Sequence, residues 1–262
     1  YGANLTILGK AGSVVDMSAF ASVDADGDEV NYALNITGPA ALTLTKFTKG
    51  ALTVTDVTTV SLSGHRGNVT LDGVANFTSD KLVGVLTLSS TNDLKTINVT
   101  GALDDDTTLA TADTTYPSIS TALKNQTALT SATFAGGFVT IDLTGASNLT
   151  SITNTAQIST LTLSGNNDLT SATIGGKINS LTVTGADDLL TLALTHTTFT
   201  STALKSGSLV VTSNPKLESL TSVADNLSTL TVTGNANLTT VDFTGLKTIG
   251  GDDTATVTIG GA

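Results

Sequence analysis

The stretch that decides the fold is Leu181–Leu189, LTVTGADDL. One step earlier the chain reads LTLSGNNDL, Leu161–Leu169, and further on LTVTGNANL, Leu230–Leu238. Related phrases begin at Leu86 (LTLSSTNDL), Ile141 (IDLTGASNL) and Leu209 (LVVTSNPKL). The starts at 141, 161 and 181 are evenly spaced, and those at 209 and 230 stand at nearly the same interval. A fixed period of this length marks a solenoid, in which each repeat buries its apolar face only against its neighbours.

Alternation inside the phrase assigns directions. Leu181 and Val183 point inward while Thr182 and Thr184 point out, because successive strand side chains face opposite ways. About eleven positions later a second apolar pair follows: Ile97 and Val99 after Leu86, Leu192 and Leu194 after Leu181, Val241 and Phe243 after Leu230. Each coil therefore carries two short strands joined by a Gly/Asn turn.

Composition agrees. Hydrophobic residues make up 39% of the 262 residues but aromatics only 4%, with no Trp, so the core is built from Leu, Val, Ile and Ala. Thr and Val suit a pleated surface, and Gly and Asn suit tight turns. The net charge is −11, and Arg66 is the sole arginine. This argues against nucleic acid as a partner, which calls for a basic surface and, for single strands, aromatic platforms. It argues equally against anionic membrane surfaces. No apolar run approaches the roughly 20 residues that span a bilayer. There is no cysteine, so disulfides, thiolate metal sites and Cys nucleophiles are excluded.

The spacings Ile158-x-x-Leu161-x-Leu163-x-x-Asn166-x-x-Leu169 and Leu227-x-x-Leu230-x-Val232-x-x-Asn235-x-x-Leu238 resemble the leucine-rich repeat consensus. With two strands per coil, residues 81–262 are closer still to the receptor L-domain of bacterial surface proteins. The resemblance implies an all-β fold: a right-handed parallel β-helix with coils of about 20 residues. Ala146 and Ala186 stand at the asparagine position of two repeats, which breaks any continuous asparagine ladder. Residues 1–40 read as a less regular β segment or cap, and 41–262 as the solenoid, with loops inserted at 104–118 and 196–207.

Chemistry-bearing clusters are few. Asp24, Asp26 and Asp28 alternate around Gly27, a pattern that can converge oxygens on one Ca²⁺, and with the following VNYAL they resemble an acidic stretch of bacterial cadherin-like repeats. The competing reading is a solvated acidic turn. Asp104–Asp106 with Asp113, Asp187–Asp188 and Asp252–Asp253 are further acidic turns. Paired carboxylates serve glycoside hydrolysis, but aromatic and basic support for a sugar site is missing, so no enzyme is expected. His65 and His196 read as lone surface histidines. The outward pairs Thr43/Thr45, Thr53/Thr55, Thr182/Thr184 and Thr231/Thr233 have the spacing of ice-binding solenoids, interrupted by Asp142, Val210, Ser164 and Ser89. Asn-x-Ser/Thr triplets recur, Asn148 and Asn237 among them.

The chain begins at Tyr1, which suggests a mature processed chain or an excised fragment; it is strand-like at both ends, NLTIL and ATVTIGGA, which suggests either a slice of a longer protein or ends completed by another copy. The expectation is a non-enzymatic, secreted or cell-surface structural protein, a homo-oligomer assembling through its ends into a layer, filament or adhesive appendage. Alternatives are a glycan- or protein-binding adhesin module using the inserted loops, and an ice-binding surface protein using the Thr rows.

Overall fold

The computed structural model describes residues 4–16, 33–44, 50–65, 67–80, 85–89, 93–100, 120–135, 137–155, 157–198, 207–222, 226–244, 248–249 and 256–260. The strands alternate between two faces. The first levels are β1 (Asn4–Leu8) and β2 (Val14–Asp16), then β3 (Ala33–Thr37) and β4 (Ala41–Leu44). They continue as β5 (Ala51–Thr55) and β6 (Thr59–Leu62), β7 (Val69–Asp72) and β8 (Asn76–Ser79), and β9 (Leu86–Leu88) and β10 (Thr96–Val99). After a short helix, α1 (Ser120–Leu123), come β11 (Ser131–Phe134), β12 (Gly137–Asp142), β13 (Ser151–Asn154) and β14 (Gln157–Ser164). The long β15 (Ser171–Thr184) turns the corner and serves both faces; β16 (Thr191–Thr198), β17 (Gly207–Thr212), β18 (Ser219–Ser222), β19 (Asn226–Thr233), β20 (Thr240–Asp242), β21 (Thr248–Ile249) and β22 (Thr256–Ile259) complete the order.

Every pairing among the described residues is parallel. The fold is the expected all-β solenoid of stacked parallel sheets. The second face runs without a break from β2 to β20. The first face is split. Its ladder β1-β3-β5-β7-β9 stops at β9, α1 lies against both β9 and β12, and pairing resumes at β12. Leu123 and Ala122 of α1 fill the core at this level, where no first-face strand lies among the described residues. Pairing also crosses residue 40, through β3–β5 and β2–β4.

The core consists of side-chain columns. Leu161, Leu181, Leu209 and Leu230 stack in register, as do Leu163, Val183, Val211 and Val232. On the other face Ile152, Ala172, Leu192 and Leu220 do the same. All twelve are at most 2% exposed. Burying a Leu, Ile or Val side chain in this way contributes about 1.5–3 kcal/mol.

Two coil lengths share this architecture. Thr53 pairs with Thr70 but Thr162 pairs with Thr182, so the earlier coils are the shorter ones. The difference sits in the turn from first to second face. Asp56–Thr58 buries one residue, Val57; the longer Gly165–Thr170 buries both Asn166 and Leu169. A left-handed residue opens each longer turn: Asn125, Gly145, Gly165, Gly185, Ser213 and Gly234. Glycine adopts that conformation without a Cβ penalty, which explains its recurrence in the repeated phrase.

Candidate functional surfaces

The turn corner holds the buried polar stack that the repeat motif implies. Asn214 donates through Nδ2 to Val183 O (3.2 Å) and Asn235 Oδ1 (3.1 Å), and accepts from the Ala186 amide (3.0 Å). Its own amide donates to Asn235 Oδ1 at 3.0 Å, and Asn235 Nδ2 donates to Val211 O at 2.9 Å. Asn166 donates to Leu143 O and Ala146 O. Ala186 separates Asn166 from the Asn214–Asn235 pair, so the ladder is interrupted as expected. The motif asparagines read from sequence, Asn166 and Asn235, leave out Asn214, although Leu209-x-Val211-x-x-Asn214-x-x-Leu217 has the same spacing. These amides are structural: they close turn carbonyls and amides away from solvent.

The outward side of the first face is a hydroxyl grid. In β14, β15, β17 and β19, positions 160/162/164, 180/182/184, 208/210/212 and 229/231/233 lie in register. All are Thr or Ser except Val210, and all are partly exposed. Thr212 donates to Thr184 across strands at 3.0 Å, which fixes those two rotamers. The second face carries narrower Ser/Thr rows, including Ser131–Ser151–Ser171 and Thr133–Thr153–Thr173. Of the four Thr pairs named from sequence, Thr182/Thr184 and Thr231/Thr233 belong to the grid, Thr53/Thr55 to β5, and Thr43 to β4 on the other face; Thr45 lies outside the described residues.

At the ends, strands pair on one side only among the described residues. β1 pairs with β3 alone and β2 with β4 alone; β20 pairs with β18 alone and β22 with β19 alone. Apolar residues are uncovered there: Leu8 is 80% exposed, Val14 69%, and Val241 42% at the opposite end.

The candidate calcium residues Asp24, Asp26 and Asp28 lie outside the described residues, as do Asp104–Asp106, Asp113, loop 104–118, Asp252 and Asp253. Of the 196–207 loop, residues up to Thr198 belong to β16 and Gly207 opens β17. Among the described residues no group of three or more His, Asp or Glu side chains is placed to hold a metal. Asp188 accepts from Lys216 Nζ at 2.5 Å, an exposed ion pair across one coil step. That bond, then the Asp188 charge, raises the Lys216 pKa, with Asp187 adding a smaller push. His65 corrects the sequence reading: it is fully buried at the corner after β6, directly following the turn that Asp80 ties down by accepting from Ser63 Oγ and the Gly64 amide. No helix among the described residues is long and apolar enough to cross a membrane.

Three long steps between levels leave and rejoin the ladder at the same corner, from second face to first: the chain departs after Asp16 and returns at Ala33, after Val99 and returns at Ser120, and after Thr198 and returns at Gly207. After Asp242 it rejoins the first face at Thr248 in β21, and the step from Ile249 to Thr256 lies within that face, since β21 and β22 both pair with β19. The opposite corner keeps its short, filled turns.

Compared with family models, curated proteins and solved structures, the chain matches none.

Proposed function

We propose that this chain is a non-enzymatic structural protein of an extracellular or cell surface, assembling end to end with further copies of itself. The observation that carries the reading is the pair of one-sided sheet edges with uncovered apolar residues, Leu8 and Val14 at one end and Val241 at the other. Open parallel edges are templates for strand addition. The first face supplies both the first strand, β1, and the last, β22, so β1 of one copy adds to β22 of another in the existing parallel sense. A head-to-tail contact of this kind is heterologous and grows into a filament. Kinship with leucine-rich-repeat or receptor L-domain proteins of bacterial surfaces belongs to the same proposal, supported by Asn166 and Asn235 at the motif position. Calcium held by Asp24, Asp26 and Asp28 would be an accessory to assembly.

The test is negative-stain microscopy with light scattering, with Ca²⁺ and with EDTA. Filaments or sheets are expected; their loss in EDTA would assign calcium to the assembly. A stable monomer under both conditions refutes self-assembly. A second reading, an adhesin module for a glycan or protein, is favoured by the shared corner at which three long insertions join the solenoid.

A further inference from the structure

We infer that the hydroxyl grid on the first face is an ice-binding surface, a function independent of end-to-end assembly. The grid has three properties that bear on what it meets. It is regular, with three positions on each of four strands held in register by backbone pairing. Its twelve positions are uncharged, although the chain carries a net charge of −11 and Asp142 of β12 borders the grid beside Thr162. Ordinary protein surfaces are about 25–35% charged, so twelve adjoining neutral positions select against ionic partners. It is narrow in side-chain chemistry: eight Thr, three Ser (Ser164, Ser180 and Ser208) and Val210, which has the branched outline of Thr.

The spacing identifies the neutral partner. Adjacent strands lie roughly 4.8 Å apart. Two water oxygens bonded to a shared third at the tetrahedral angle lie about 4.5 Å apart, from an O–H···O distance of about 2.8 Å. Each step along a row therefore matches one two-bond step of a tetrahedral water network. The mismatch is about 0.3 Å per step and accumulates to about 1 Å over the four strands. Water hydrogen-bonded to successive hydroxyls of a row would therefore stand close to lattice positions. The grid holds no aromatic ring on which a sugar face would stack.

The experiment is thermal hysteresis of the purified chain, with uptake of the fluorescently labelled chain into a growing ice hemisphere. Thr182→Tyr and Thr231→Tyr break the grid at partly exposed positions; Thr153→Tyr makes the same change on the second face. Thermal melting monitored by circular dichroism checks that all three remain folded. The expected result is hysteresis and ice uptake by the parent chain, loss of most of both in T182Y and T231Y, and retention in T153Y. Absence of hysteresis and uptake in the parent overturns the inference, as does equal loss in T153Y. Binding to an insoluble neutral polysaccharide without uptake into ice overturns it too.

Discussion

Replacing Asn214 with alanine tests whether the buried amide stack holds the longer coils together. Asn214 is fully buried, and its side chain accepts from the Ala186 amide and donates to Val183 O and Asn235 Oδ1. Alanine leaves the Ala186 N–H and the Val183 carbonyl without these partners, away from water. Each buried group stripped of its partner costs about 1–3 kcal/mol; Asn235 Oδ1 keeps the Asn214 backbone amide and adds little. The expected loss is about 2–4 kcal/mol in unfolding free energy. Urea denaturation followed by circular dichroism reads the total, and amide exchange at Ala186 reads it locally, which matters because a solenoid can open coil by coil. The reverse change, Ala186→Asn, places an amide where its Oδ1 faces the Asn166 amide as Asn214 faces Ala186. It should gain about 1 kcal/mol. A loss below about 0.5 kcal/mol for N214A, the range of ordinary surface changes, would refute the claim that the stack is structural.

Two further predictions follow from close contacts and charge. Gly67→Ala should destabilise far more than Gly165→Ala: a Cβ at Gly67 would collide with the Gly50 carbonyl, whereas Gly165 has open space and only its φ of +64° to oppose a side chain. The latter costs about 1–2 kcal/mol, and denaturation midpoints that coincide would show that the corner after β6 is not tightly stacked. For the exposed Lys216–Asp188 pair, the folded pKa of Lys216 lies above its ordinary value of 10.5, so the pair's contribution is complete below that pH and is lost as pH rises through the folded value. Both side chains are about half exposed, so Lys216→Met should barely change the melting temperature at neutral pH and moderate salt, and any difference should vanish in strong alkali. A large shift at neutral pH, or one that persists in alkali, would contradict this.

How far the sequence reveals the fold depends on what each residue does for its neighbours. Leu161, Leu181 and Leu230 recur in phase because every level of the core needs the same inward side chain, so the C-terminal coils are legible. The N-terminal coils obey the same rule with a shorter turn. Val57 and Val74 each fill it alone, the period shortens, and the repeated phrase disappears although the pairing continues to β1. α1 is invisible for another reason: four residues, Ser120–Leu123, carry no periodicity, and it is packing against β9 and β12 that places them. His65 sits in a polar string, and only the packing of adjacent levels buries it. The grid is half legible: Thr182/Thr184 and Thr231/Thr233 are plain in the sequence, but register is needed to set Ser180, Ser208 and Thr229 beside one another.

The distribution of insertions has a physical cause that bears on function. At the turn corner, Gln, Asn or Ala and then Leu are buried at the levels from Gln126 to Leu217, and the asparagine amides bond to the preceding level; an extra residue there would misplace a buried column. At the opposite corner the central coils pass between faces in a few residues, with Asn154 Nδ2 donating to Gly175 O in the interior. Chain added at this corner can leave the ladder and return without disturbing the inward columns, which explains why three of the long steps occur on one edge. Loops that vary on a rigid frame are where recognition is built. On the proposed readings the solenoid separates its tasks in space: the ends offer strand edges, the first face a hydroxyl lattice, and one edge carries three of the inserted loops. Substitutions confined to one of these regions should change its behaviour and leave the other two intact, because the columns between them are closed.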